Sequence, residues 1–181
     1  MNPGDPVLEL ADLLRRRNEI DGDIASLIGR PAERGHIGEF VAAHIFDIRL
    51  ADSATSRALD GWFTDGPLAG RSVNVKFYGR HEGLLDASPR GTVDYYLVLC
   101  GPRTPAQSSR GTSRPLIVSQ VFLLESEGLH DAWEARGVRV GVASSVRRDV
   151  WAAAEIYPTR NPRLYDLSHA QLDRLKALGG R

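Results

Sequence analysis

Glu39, Asp60, Asn74 and Lys76 are the residues of this 181-residue chain whose types and spacing carry the clearest chemistry. Two carboxylates and a side-chain amide oxygen are hard donors of the kind Mg²⁺ takes, and Mg²⁺ keeps several waters when its substrate brings phosphate oxygens. Mn²⁺ accepts the same donors. Such a cation polarises a phosphodiester and lowers the pKa of an attacking water. A nearby ammonium, here Lys76, holds that water or stabilises charge developing on the phosphorane oxygens. Each residue also has a plainer reading: Asp60-Gly61 is a common turn pair, and Lys76 suits a solvated strand position.

The four residues act together only if a helix and two strands meet. Ile37, Val41 and Ile45 make an apolar stripe at helical spacing over residues 34 to 46, with Glu39 on its flank. Residues 59 to 64 and 72 to 78 read as strands around the turn-rich Asp65-Gly66-Pro67-Leu68-Ala69-Gly70-Arg71, hence as a hairpin. Alternation sends Val73, Val75 and Phe77 to one face and Asn74 and Lys76 to the other. A hairpin centred on Leu68 sets Asp60 opposite Lys76 and Trp62 opposite Asn74, so that acid and lysine meet on one face.

The remaining elements follow from periodicity and breakers. Asp5-Pro6 opens a helix carried by Leu8, Leu10, Leu13, Leu14, Ile20, Ile24, Leu27 and Ile28, weakened at Gly22 and stopped by Gly29-Arg30-Pro31. Two apolar runs, 93 to 100 and 116 to 124, read as central strands. Between them, residues 101 to 115 have a loop composition with three arginines and no acid. Helices near 126 to 136 and 168 to 178 and a strand near 139 to 144 complete the expected map. The organisation expected is one domain over residues 1 to 181: a helical region to residue 30, a core from 31 to 150, and an extension with a helix from 151.

An acid on the first core helix, an aspartate at the next strand and an x-x-Lys element on the following strand resemble the PD-(D/E)xK nuclease superfamily. The stretches Gly29-Arg30-Pro31-Ala32, Gly35-His36-Ile37-Gly38-Glu39, Leu59-Asp60-Gly61, Gly66-Pro67-Leu68-Ala69-Gly70-Arg71 and Val73-Asn74-Val75-Lys76 look like an uncharacterised bacterial branch of it. The resemblance implies an α/β, restriction-endonuclease-like mixed β-sheet flanked by helices. It also implies metal ligation by Glu39 and Asp60 and a catalytic role for Lys76. Asn74 stands at the position of the second acid and Leu59 at that of the motif's proline. Asparagine offers a metal an oxygen but no charge.

Charge and composition bound the partners. Lys plus Arg equals Asp plus Glu at 23 each, so the chain as a whole does not attract nucleic acid. Residues 61 to 120, however, hold seven basic and only four acidic side chains. The arginines expected to contact DNA phosphates are Arg71, Arg80, Arg103, Arg110 and Arg114. Arg136, Arg139, Arg147 and Arg148 form a second patch if folding gathers them. Cys100, the one cysteine, ends an apolar stretch and reads as a buried, inert thiol, which with the absence of a leader-like or membrane-length run predicts a cytoplasmic protein. His36 and His44 lack a third ligand at zinc spacing. His81-Glu82 and Asp86 are candidates for a substitute acid, Asp94 for a strand-end or outer-shell residue, and Trp62, Tyr78, Tyr95 and Tyr96 for the core. The expected function is a Mg²⁺- or Mn²⁺-dependent DNA endonuclease, for which a homodimer suits cutting both strands. The alternatives are a non-catalytic nuclease-fold protein that binds DNA or a protein partner, and a small structural or toxin-associated protein.

Overall fold

A computed structural model of the chain describes residues 5–52, 58–103 and 115–179. Among these the chain forms helices α1 (Pro6–Ile28), α2 (Arg34–Ile45), α3 (Ser126–Glu134), α4 (Arg148–Ala154) and α5 (His169–Leu178). The strands are β1 (Ile48–Leu50), β2 (Gly61–Phe63), β3 (Ser72–Tyr78), β4 (Leu84–Leu85), β5 (Tyr95–Cys100), β6 (Gln120–Glu125), β7 (Ser144–Ser145) and β8 (Glu155–Tyr157). The fold is a mixed α/β sheet flanked by helices, as the sequence led us to expect. Six strands lie in the order β1-β2-β3-β5-β6-β8, with β4 and β7 as a separate pair. Among the described strands β3 and β5 are the parallel pair, joined from Val73↔Tyr95 to Tyr78↔Cys100.

Burial on both faces explains the apolar character of β5 and β6. On one face α2 and α5 cover Val73, Val75, Phe77, Leu97, Leu99, Val121 and Leu123. On the other, α3 and α4 cover Tyr96, Val98, Cys100, Phe122 and Leu124 through Leu129, Trp133 and Trp151. Full burial of each large apolar side chain contributes about 1.5–3 kcal/mol, so β5, with Tyr96 to Cys100 all buried, is the anchor of the sheet. The Cys100 thiol is pushed up to about 12 by that burial, so it stays protonated and inert at neutral pH. Tyr96 is fully buried, and Trp62, Tyr78 and Tyr95 are half-buried core-edge residues.

Several sequence expectations shift. The extension from residue 151 carries its helix, α5, and also adds β8 to an edge of the main sheet, with Leu175 of α5 completely buried. The strand expected over 139 to 144 shrinks to β7, because Gly141 and Ala143 adopt positive φ within it. The strand expected at 116 begins only at Gln120. Helix α1 does run through Gly22, capped by Asp5, whose Oδ1 accepts from the Val7 N–H at 2.9 Å.

The hairpin exists, but its register differs. Gly61 pairs with Val73 and Trp62 with Ser72, two residues away from the expected opposition of Asp60 with Lys76 and Trp62 with Asn74. A 3-10 turn over Gly66–Leu68 centres the reversal one position earlier than Leu68. A slip of two keeps every side chain on its expected face.

Candidate functional site

Backbone pairing creates an open fork between β2 and β3. The ladder ends where the Asp60 N–H donates to the Val73 carbonyl at 3.0 Å. One residue pair further, β2 no longer supplies an acceptor, and the Asp60 carboxylate takes its place: the Val75 N–H donates to Asp60 Oδ2 at 2.6 Å. Asp60 therefore caps the freed edge of β3, in the plane of the sheet.

Two glycines allow the neighbouring elements to close on this point. A Cβ on Gly38 would lie 2.9 Å from Phe77 Cβ, so only glycine lets α2 approach β3 this closely, and Glu39 follows it directly. A Cβ on Gly61 would stand 2.4 Å from the Arg49 carbonyl oxygen, so β1 and β2 meet at Gly61 for the same reason.

Glu39 arrives on α2, which packs on the Val73/Val75/Phe77 face. Lys76 alternates onto the opposite face, so the helix acid and the lysine stand on different faces of the sheet. Both still act on the Asp60 carboxyl through their charge, Glu39 raising its proton affinity and Lys76 lowering it. The Asp60 carboxyl is pushed from an ordinary 3.8 up to about 6, first by burial and further by the Glu39 charge, while the Val75 N–H, Lys76 and Arg30 pull it down. Four ionic groups thus meet in one field here. Arg30, read from the sequence as part of a helix stop and of the Gly29-Arg30-Pro31-Ala32 stretch but given no role in the site, forms an ion pair with Glu39. The signal for it was present, since Arg30 sits in the Gly29-Pro31 break that turns the chain from α1 toward α2.

Asn74 is 3 % exposed. Its Nδ2 donates to the Ala58 carbonyl at 2.7 Å, which fixes the amide orientation, and its Oδ1 is buried without a hydrogen-bond partner. An orphaned buried acceptor costs about 1–3 kcal/mol, a cost that a cation ligated by Oδ1 would remove. The donor set of Glu39, Asp60 and Asn74 Oδ1 is all oxygen and fits Mg²⁺ or Mn²⁺ in kind. Its charge is that of two carboxylates. Among the described residues no three His, Cys, Asp or Glu side chains gather as a metal group.

The other expected residues lie elsewhere. Asp86 is committed to the Tyr78 hydroxyl, which donates at 3.2 Å, and to the Ala143 N–H at 2.8 Å, so it does not serve as a substitute acid in the fork. His81 is buried against Phe122 and Trp151 beside Gln120, and burial lowers its pKa. Glu82 is exposed. His36 and His44 bond the carbonyls of Pro31 and Phe40 and are structural. Asp94 accepts from the Ser72 N–H and hydroxyl, each at 2.7 Å, and pairs with Arg71 at 3.0 Å. Burial alone would raise its pKa, but these partners outweigh it and the carboxyl is held low.

Of the expected phosphate-contacting arginines, the three that are described sit in different settings. Arg71 is engaged by Asp94 and lies over the Tyr95 ring at 5.7 Å. Arg80 is 4 % exposed and so is a buried residue rather than a surface contact. Arg103 is exposed, its backbone bridged to His81. Arg110 and Arg114 lie outside the described residues, as does most of the 101 to 115 loop. In the second expected patch, Arg147 is held by Asp149 at 2.7 Å. Among the described residues no helix is long and apolar enough to cross a membrane. No protein-family model matches the chain, and no curated protein sequence matches it.

Proposed function

We propose that the fork between β2 and β3 is the active site of a metal-dependent endonuclease that hydrolyses DNA phosphodiesters. The observation that carries this reading is the half-buried Asp60 carboxylate bound to the Val75 N–H at the freed edge of β3, next in the chain to the unpartnered Asn74 Oδ1, with the Glu39 charge raising its proton affinity and the Lys76 ammonium offsetting that. The resemblance of these positions to the PD-(D/E)xK superfamily supports it independently of the geometry.

Each residue has a role in such a site. Asp60 loses its proton near pH 6, so around neutrality it is a carboxylate held in place by the Val75 N–H. Lys76 offers its ammonium to a non-bridging phosphate oxygen or to the attacking water, where charge develops in the transition state. Arg30 restrains Glu39 and lowers the electrostatic cost of two adjacent acids. Glu39, Asp60 and Asn74 Oδ1 would hold the divalent cation, which supplies Lewis-acid polarisation of the phosphoryl group. Of the arginines expected to contact DNA, Arg71 and Arg103 are described and exposed, and they add backbone-phosphate contacts.

A specific observation favours a second reading, a nuclease-fold protein that binds DNA or a protein partner without cutting. Asn74 brings no charge, and Glu39 is already paired with Arg30. A plasmid and oligonucleotide cleavage assay over a Mg²⁺ and Mn²⁺ series distinguishes the two. Metal-dependent cleavage by the wild type supports the enzyme. An inert wild type with activity gained only in Asn74→Asp supports the non-catalytic reading.

A further inference from the structure

Helix α1 presents an apolar stripe that the other described residues leave uncovered. No residue of α1 is buried, and Val7, Leu8, Leu10, Leu13, Leu14, Ile20 and Leu27 are 48 to 74 % exposed. A monomer rarely tolerates so continuous an apolar surface. Leu10, Leu13, Arg17, Ile20, Ile24 and Leu27 recur at alternating steps of three and four, the spacing of a two-helix seam. Val7 and Leu14 widen that seam on one side.

We infer that α1 is a homodimerisation helix, pairing antiparallel with α1 of a second copy so that residues whose numbers sum to 37 face each other. Leu10 then meets Leu27 of the second copy, Leu13 meets Ile24, and Arg17 meets Ile20. Charge selects this arrangement. A parallel pair would put the two Arg17 side chains against each other inside the seam, whereas the antiparallel register sets each against an isoleucine and within the reach of acids. Arg17 already bonds Asp21 of its own helix at 3.4 Å. On the flank, Arg16 comes opposite Asp23 of the second copy, and Arg16 is free to share its exposed partner Asp12. The area also suffices. Five exposed seam residues and the partly buried Ile24, at roughly 80 Å² each on average, bury about 500 Å² per chain, or about 1,000 Å² in all, the lower bound for a specific interface. A membrane is the wrong partner by charge, because α1 carries Glu9, Asp12, Glu19, Asp21 and Asp23 against three arginines. The two forks of such a dimer lie at opposite ends of the helix pair, the Gly29 positions roughly 30 Å apart along it, so each serves its own substrate strand.

The test is sedimentation velocity on the full chain, coupled to cysteine cross-linking. The wild type is expected to show a reversible dimer that Leu13→Asp with Ile20→Asp abolishes while the far-UV circular dichroism stays that of a folded chain, since both side chains are exposed. Arg16→Asp and Asp23→Arg should each weaken the dimer about tenfold, because two symmetric pairs become repulsive, and the double exchange should restore it to within about threefold. Under oxidation, a mixture of Leu10→Cys and Leu27→Cys chains should cross-link while neither does so alone; native Cys100 is buried and does not interfere. A strictly monomeric wild type overturns the inference. So does self-cross-linking of Leu10→Cys alone, which means a parallel pair, or a monomer that co-sediments with phospholipid vesicles. None of these readouts depends on cleavage, so loss of the nuclease reading would leave the dimer standing.

Discussion

Asp60→Asn should make the protein more stable and abolish its chemistry in the same step. The substituted amide keeps an oxygen to accept from the Val75 N–H, so the bond that closes the β3 edge survives, while the buried charge facing Glu39 disappears. The folded protein binds the Asp60 proton up to about pH 6, whereas the unfolded chain releases it near 3.8. Between those values the folded state carries the extra proton, so wild-type stability falls as pH rises through the window and is lowest above it. Each pH unit of the window is worth about 1.4 kcal/mol, which gives a penalty of about 3 kcal/mol on the ionised wild type in metal-free buffer. The variant escapes most of it. Urea unfolding in EDTA should therefore show Asp60→Asn more stable by about 2 kcal/mol at pH 8, with the two curves converging near pH 4. A difference that is constant with pH, or a variant less stable at pH 8, would refute the electrostatic picture of the fork.

Three further changes probe its parts. Arg30→Ala removes a positive charge that holds the Asp60 proton affinity down, so the carboxyl should titrate above 6 by NMR; an unchanged titration would mean that Arg30 acts on Glu39 alone. Asn74→Asp replaces the donor to the Ala58 carbonyl with a buried charge, so it should cost about 2–4 kcal/mol in EDTA and recover part of that with millimolar Mg²⁺; a thermal midpoint indifferent to Mg²⁺ removes residue 74 from the cation site. Gly61→Ala drives a Cβ into the Arg49 carbonyl and should cost about 3 kcal/mol, read as a fall of about 10 °C in calorimetry.

What the sequence made legible was whatever depended on local pattern. The alternation of β3, the apolar runs of β5 and β6 and the α2 stripe placed Glu39, Asp60 and Lys76 on elements that do meet. The hairpin register did not follow, because a 3-10 turn over Gly66–Leu68 is indistinguishable by composition from a reversal centred on Leu68. Strands β1 and β8 are three residues each and exist through pairing with β2 and β6, which no local pattern encodes. Arginines illustrate the same limit. Arg80 and Arg103 look alike in sequence, yet one is buried and the other exposed, and Arg90 is taken up by Glu127 and Asp131 of α3. The pairing of Arg30 with Glu39 spans the turn between two helices and needs the packing of α2 on β3, which Gly38 permits.

The central claim is tested most directly by plasmid cleavage with wild type, Asp60→Asn and Lys76→Ala purified side by side and assayed with Mg²⁺ and Mn²⁺ from pH 5 to 9. The account predicts metal-dependent cleavage by the wild type that declines below about pH 6 as Asp60 takes up its proton, and none by either variant, both of which remain folded. Cleavage that survives in both variants, or a folded wild type inert with either metal across the whole pH range, would contradict it.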